Sequence, residues 1–406
     1  MNVLIAPDSF KESLSAIAAA DLIEAGFRDV FPNWDYVKLP VADGGEGTVA
    51  AIIAATGGRI VPQRVTGPLG DPVNAFFGLL DGDQTAVIEI AASSGLPLLN
   101  AARRNPLLTT TYGVGELIRA AMDLGARRIV VGIGGSATND GGAGMVQALG
   151  AKLLDGSGQE IGFGGTALAA LARIDVTDLD PRLIDCEFDV ACDVDSPLVG
   201  PNGASVVFGP QKGATPEMVK LLDANLRHYA ARIESDLGRS VLDLRGGGAA
   251  GGLGAAMVAF LNARLLPGAE LIMEIIGLDA LVAEADLIIT GEGRIDGQSV
   301  RGKTPLGIAR AALDHGKPVI ALAGSLGQGA ELLHDHGVSA MLSVVPGACS
   351  LDQALAAAGE NLRNTSRNTA ELLRIGADIV KGSSGLDPAR PPKRQRRTEP
   401  GAATAF

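Results

Sequence analysis

At both ends of the chain, short apolar runs alternate with glycine-rich polar turns and helical stretches. VLIA (residues 3–6) reads as a buried strand, followed by the turn PDSFKES. From Ser15 an alanine-rich pattern with Asp21, Glu24 and Arg28 on one side predicts a helix to Val30. YVKLPV (36–41) predicts a second strand running into ADGGEG, then a helix over about 46–55 that Gly57 and Gly58 stop. From Ala285 the texture returns. DLIITGE predicts a strand ending near Thr290, 305–315 a helix, PVIALAGS a strand and 328–335 a helix. AMLSVV follows as a strand, then one long helix or two over 351–379.

The middle reads differently. RVTGPLGDPVNAFFGLLDGDQTAVIEIA holds β-branched runs separated by Gly-Pro, Gly-Asp-Pro and Asp-Gly-Asp, the pattern of antiparallel strands with turns. A helix (113–124), a strand (128–132), the loop GIGGSATNDGGAG, a helix near 145–149 and a long helix over 216–237 follow. The expected fold is α/β. One doubly wound domain is built from both chain ends (1–58 and 284–380), with an α+β domain (59–283) inserted between them and no parallel-sheet character in the insert. Residues 381–406, with six Lys or Arg, four Pro and no apolar period, read as a disordered basic tail rather than a nucleic-acid patch.

Composition narrows the classes. The 406 residues are 47% hydrophobic, with 55 Gly and only 3% aromatics, which suits a globular α/β protein whose loops approach ligands closely. A net charge of −12 argues against broad nucleic-acid binding and for a soluble cytoplasmic protein. Cys186, Cys192 and Cys349 are too scattered for a disulfide framework or a zinc site, and the four His form no metal-ligand cluster. The N-terminus lacks a signal-peptide pattern, and no run of about 18 apolar residues would span a membrane.

Candidate chemistry sits where predicted strands meet glycine-rich turns, the usual ligand position in open α/β sheets. GQSVRGKTP spells G-x-x-x-x-G-K-T, yet the strand is expected to end before GEGRID, so a Walker-type loop is disfavoured. A polyphosphate loop using Arg294, Arg301 and Lys303 with Glu292 and Asp296 is the better reading. Gly246, Gly248 and Gly251 mimic a dinucleotide fingerprint after VLDL, a weak signal. GIGGSATNDGGAGM packs six Gly with Ser136, Thr138, Asn139 and Asp140 between strand and helix, and points to phosphate or substrate binding. DSFKES offers Asp8, Ser9 and Lys11, with Ser13 or Ser15 as a helix cap. ADGGEGT offers Asp43 and Glu46, and ACDVDSP offers Asp193 and Asp195, for a metal or a hydroxyl proton. Anion cradles with scattered cations and carboxylates suggest phosphoryl transfer.

The ordered series APDSFKESLSA, PVADGGEGT, GIGGSATNDGGAGM, ACDVDSPLVGPNGAS, FGPQKGAT, GGGAAGGLGAAM and DLIITGEGRIDGQSVRGKTP resembles the type-1 glycerate kinase family from residue 1 to about 380. The resemblance implies ATP-dependent phosphorylation of glycerate, D-glycerate to 2-phosphoglycerate, with magnesium. It also implies a flavodoxin-like domain and an insert likened to restriction endonucleases. Partners would be glycerate and ATP, with no nucleic acid or membrane; a homodimer stays open. Ser196 stands where the family usually has Asn, and the tail has no counterpart.

On this basis glycerate is expected against Asp8, Ser9, Lys11, Gly44, Gly45 and Glu46. The nucleotide is expected against Gly134, Gly135, Ser136, Asn139, Asp140, Glu292 and Lys303. Asp193 would be general base or magnesium ligand, with Asp43 the alternative base and Asp296 a further metal ligand. Lys11, Arg294 and Lys303 would supply positive charge during transfer. The rival classes are an NAD-dependent oxidoreductase using the Gly246 loop and a pure ligand-binding protein.

Overall fold

Among the described residues thirteen strands form three sheets. In chain order the first six are β1 (Asn2–Pro7), β2 (Asp35–Lys38), β3 (Arg59–Thr66), β4 (Pro72–Leu80), β5 (Thr85–Glu89) and β6 (Arg128–Gly132). They are followed by β7 (Lys152–Asp155), β8 (Leu171–Asp175), β9 (Glu187–Ala191), β10 (Arg264–Leu266), β11 (Leu287–Ile295), β12 (Val319–Leu326) and β13 (Val338–Ser343). The structure, a computed structural model, describes residues 1–41, 47–297, 299 and 304–383. The basic tail from 384 onward lies outside the described residues.

Both chain ends contribute to one five-stranded sheet in the order β13-β12-β11-β1-β2, all parallel. Renumbered along the chain this is the 2-1-3-4-5 order of a doubly wound sheet with a switch point between β1 and β11. β1 and most of β11 are buried on both faces, as central strands of a parallel sheet are, while the edge strands β2 and β13 are mostly exposed or half-buried. On one face lie Ala16–Arg28, capped by Ser15 through the amide of Ala18, and Ala358–Ser383. The helical pattern near the end does divide, into Leu351–Ala356 and Ala358–Ser383.

The second sheet has six strands in the order β10-β9-β6-β5-β4-β3. β3, β4 and β5 are antiparallel neighbours, as the turn signals predict. β5, β6, β9 and β10, however, run parallel. The middle of the chain therefore does contain parallel crossovers, contrary to the reading of its texture. The connections between these strands carry Tyr112–Asp123, Pro216–Leu237 and Ala249–Leu261 amid long glycine-rich loops, which spread the crossovers over more sequence than a compact βαβ unit. β7 and β8 form a separate antiparallel pair.

The two large sheets share an apolar layer. Leu4 and Ala6 of β1, and Val87, Val130 and Ala191 of the second sheet, belong to one cluster with Val49, Ile52, Ile272, Val282 and Ile308. These last residues lie on Thr48–Thr56, Gly268–Ile275, Leu278–Glu284 and Thr304–Asp314. The far face of the six-stranded sheet is covered by Tyr112–Asp123, Pro216–Leu237 and Ala249–Leu261. Pro216–Leu237 keeps its expected bounds because its ends are encoded locally. Thr215 accepts from the Met218 amide, Pro216 occupies the first turn, and Gly238 terminates in the left-handed region.

Candidate active site

Because β5, β6 and β9 are parallel and in register, Glu89, Gly132 and Ala191 end side by side. The chain beyond those ends encloses a cavity of about 230 Å³ lined by Gly134, Gly135, Ser136, Asp193, Lys212 and Ala250, among others. The segments after β6 and after β9 thus meet beyond the carboxyl ends of adjacent parallel strands, the side of an open α/β sheet on which ligands bind.

The loop after β6 is held rigidly from behind. Gly135 has φ +73, its carbonyl accepts from the Leu96 amide, and the Ala137 amide donates to the Ser94 carbonyl. Asp140 is fully buried and accepts from the Thr111 amide at 2.8 Å, the Thr111 hydroxyl at 2.9 Å and the amides of Gly142 and Gly144 at 3.2 Å. Burial pushes its pKa up, against the pull of those donors. Asn139, also buried, pairs with Ser205. Neither side chain lines the cavity; both shape the loop that does. Ser136 faces it, together with the two glycines.

Lys212, in the FGPQKGAT segment, was not a predicted site residue. Only 1% of it is exposed, and its Nζ donates to Ser136 Oγ at 2.8 Å and to the Thr138 carbonyl at 2.7 Å. Burial drives its pKa down to about 7, only partly offset by Asp140. Asp193 stands opposite at the end of β9, solvent-exposed, with Oδ1 accepting the Gly268 amide at 2.7 Å. Asp195 lies outside the cavity in an exposed ion pair with Arg245. Cys192 lines the cavity, but burial holds its thiol above the usual range, which makes it a poor nucleophile.

The Gly246 loop is no dinucleotide fingerprint. Residues 241–244 form no strand. A side chain at Gly251 would meet the Thr138 carbonyl at 2.1 Å, and one at Gly248 the Pro197 carbonyl at 2.2 Å. The glycines let this loop pack against the loop after β6 and leave no approach for a pyrophosphate. Ala250, at φ +51, is held in a left-handed conformation beside the cavity.

A second group gathers at the carboxyl ends of β1 and β11. Asp8 is buried, accepts from the Ser9 amide at 2.5 Å and receives the Thr304 hydroxyl at 3.0 Å. Lys11 is exposed on a tight turn closed by the Leu14 amide on the Phe10 carbonyl. β11 does not end near Thr290: it runs on through GEGRI to Ile295, paired with β12. Gly291 and Gly293 permit this, since a side chain at Gly291 would strike the Leu322 carbonyl at 2.0 Å. With β11 ending at Ile295, no long segment separates the strand from Gly297, contrary to the expectation from sequence. Buried Glu292 accepts from Ser299 at 2.5 Å, and exposed Arg294 pairs with Asp296 at 2.9 Å.

Asp43, Gly44, Gly45, Glu46, Arg301 and Lys303 lie outside the described residues, but the flanks of their loops are fixed. The Val41 amide bonds the Pro7 carbonyl, and the Gly47 and Val49 amides bond Glu89, at 3.3 and 2.6 Å. The described residues on either side of 42–46 are thus fixed, Val41 beside β1 and Gly47 beside β5. Ser299 and Thr304, flanking 300–303, are held by Glu292 and Asp8. Glu89 and Thr111 are further residues that sequence reasoning missed.

Residues 3–374 match the model of the glycerate kinase family. The chain belongs to that family. It is 56% identical over 375 residues to the glycerate kinase of Bacillus subtilis (strain 168), covering 92% of this chain and 98% of the relative. It is 55% identical to the glycerate 2-kinase of Escherichia coli (strain K12), over 93% and 99% of the two chains. A crystal structure from Salmonella typhimurium LT2, assigned as a glycerate kinase 2, superposes with a TM-score of 0.83 at 55% identity, covering 93% of this chain and 99% of that one. The chain is thus an enzyme of the glycerate kinase type with a mixed α/β fold. Among the described residues no helix is long and apolar enough to cross a membrane.

Proposed function

We propose that this kinase transfers the γ-phosphoryl group of ATP to D-glycerate in the cytoplasm, giving 2-phosphoglycerate. The printed name of the Escherichia coli relative supports the position of transfer. The observation that carries the reading is the cavity at the ends of β6 and β9, where the Gly134–Gly135 backbone and the Asp193 carboxylate face one space. Backbone amides presented by glycines suit phosphate oxygens, and a carboxylate suits the proton of an attacking hydroxyl. Glycerate takes the Asp8, Ser9 and Lys11 turn and residues 43–46, whose described flanks Val41 and Gly47 are fixed beside β1 and β5. Asp193 is the general base or a magnesium ligand, with Asp43 the alternative base. Arg294 and Lys303 offset charge on the transferred group.

Magnesium fits this donor set. Among the described residues no three His, Cys, Asp or Glu gather into a metal cage. Single carboxylates at strand ends, Asp193 and Asp296, match the way magnesium is ordinarily held, by one or two carboxylates with substrate phosphates. Bound there, the ion would neutralise phosphate charge during transfer.

We further read the five-stranded sheet and its helices (1–58 and 284–380) as a flavodoxin-like domain. Residues 59–283 then form a second, restriction-endonuclease-like one, and closure between the two excludes water. The strand order and the fixed positions of Val41 and Gly47 beside the two sheets support this. Release of ADP with D-glycerate, followed by phosphorus NMR of the product, tests the function. A signal from 2-phosphoglycerate is expected; NADH production, or glycerate binding without ATP consumption, would overturn it.

A further inference from the structure

We infer that Lys212 is a ligand-binding residue of this site, its Nζ contacting an anionic oxygen of the phosphate chain held in the cavity. The inference rests on the kinase reading above and adds to it a residue and a proton. Lys212 is the one lysine among the cavity-lining residues, and it reaches that position through a nearly complete enclosure by protein. Two of its three donors are spent on Ser136 Oγ and the Thr138 carbonyl, both neutral acceptors. The third is left for an occupant. Those same two acceptors belong to the loop whose Gly134 and Gly135 line the cavity, so the cation and the glycine backbone are locked into one cradle.

The charged groups around Lys212 can be named element by element. Asp140 lies behind the loop after β6, its carboxylate engaged by Thr111 and two amides. Asp193 and Cys192 come from the segment after β9. Arg104 donates to the Gln211 carbonyl next to it. Phe208 and Ala250 close the remaining wall without charge. Among the described residues no carboxylate is hydrogen-bonded to Nζ, so the ammonium charge is incompletely compensated, and burial favours the neutral amine. An entering phosphate supplies the missing negative charge. Lys212 then takes up a proton, and the charge-assisted bond forms only with an anion in place.

The experiment is calorimetric titration of MgATP, whose phosphates are already ionised in this range, in buffers of different ionisation enthalpy. With Lys212 near pH 7 when the site is empty, wild type is expected to take up about 0.9 proton at about pH 8 and about 0.1 at about pH 6. Lys212→Arg, permanently charged, takes up none. Lys212→Met takes up none and binds MgATP roughly 10- to 100-fold more weakly, the worth of one charge-assisted bond. Thermal midpoints check that each variant folds; if Lys212→Met does not, the wild-type proton count and Lys212→Arg decide. Binding without proton uptake by wild type at about pH 8 overturns the inference, as does undiminished affinity and turnover in a folded Lys212→Met. If wild type also phosphorylates glycerate in those cases, the kinase reading stands alone. If proton uptake is seen and no glycerate is phosphorylated, the phosphate site stands and the glycerate assignment falls.

Discussion

The six-stranded sheet buries a charged side chain near each of its ends and treats the two differently. Toward the amino end, Asp189 of β9 is fully buried and saturated. Arg128 of β6 meets Oδ2 at 3.1 and 3.0 Å, and Arg264 of β10 meets Oδ1 at 2.7 Å. Arg128 goes on to Glu274 at 2.9 Å. Toward the carboxyl end, Lys212 is as deeply buried and, among the described residues, has only a hydroxyl and a carbonyl as direct partners. A charge whose counter-charges arrive with the fold stitches three strands together. A charge left without a bonded counter-ion is a standing cost of several kcal/mol, and such costs persist where a ligand repays them.

Removing the counter-charge at the paired end should have the largest effect on stability. Asp189→Ala leaves two guanidinium groups facing one another across β9 and is expected to cost about 3–5 kcal/mol in urea unfolding, with turnover per folded molecule preserved. Asp140→Ala comes next, at roughly 3 kcal/mol, because it orphans the buried Thr111 and Gly144 amides together. Unlike Asp189→Ala, it should also raise the KM for ATP, since it loosens the loop that carries Gly134 and Ser136.

Lys212→Met should invert the pattern. The folded pKa near 7 lies below the unfolded value of 10.5, so the unfolded chain binds more protons between those limits and wild-type stability rises with pH there. Below about pH 7 the penalty is fully present. The ligand-free Met variant should therefore be as stable as wild type or up to about 2 kcal/mol more stable at about pH 6, with that margin shrinking toward about pH 10. A constant margin in paired unfolding curves would contradict the contrast between the two ends. The smallest effect is expected for Glu89→Gln, about 1 kcal/mol, with a raised KM for glycerate from a loosened start of the Thr48–Thr56 helix.

Elements whose signals are local were legible from sequence. Thr215, Pro216 and Gly238 bound their helix within a few residues of themselves, and the apolar runs at both chain ends announced a parallel sheet. The glycine-rich loop after β6 and Asp193 after β9 were also recognisable, as polar clusters at strand ends. What stayed hidden depends on distant partners. Lys212 meets Ser136 across 76 positions, and Glu89 meets Val49 across 40. A lysine in a turn and a glutamate closing a β-branched run look solvent-facing until the fold buries them. The glycines of the Gly246 loop were ambiguous for the complementary reason, because close backbone packing and phosphate approach ask for the same residue.

The most direct test is D-glycerate-dependent ADP release by Asp193→Asn beside wild type. The substitution keeps the side chain's size and an oxygen for the Gly268 amide, so the thermal midpoint should hold. Turnover should fall at least ~100-fold, the ordinary worth of a general base or metal-bound carboxylate. A folded Asp193→Asn enzyme that releases ADP at near wild-type rates would contradict placing the chemistry at the ends of β6 and β9.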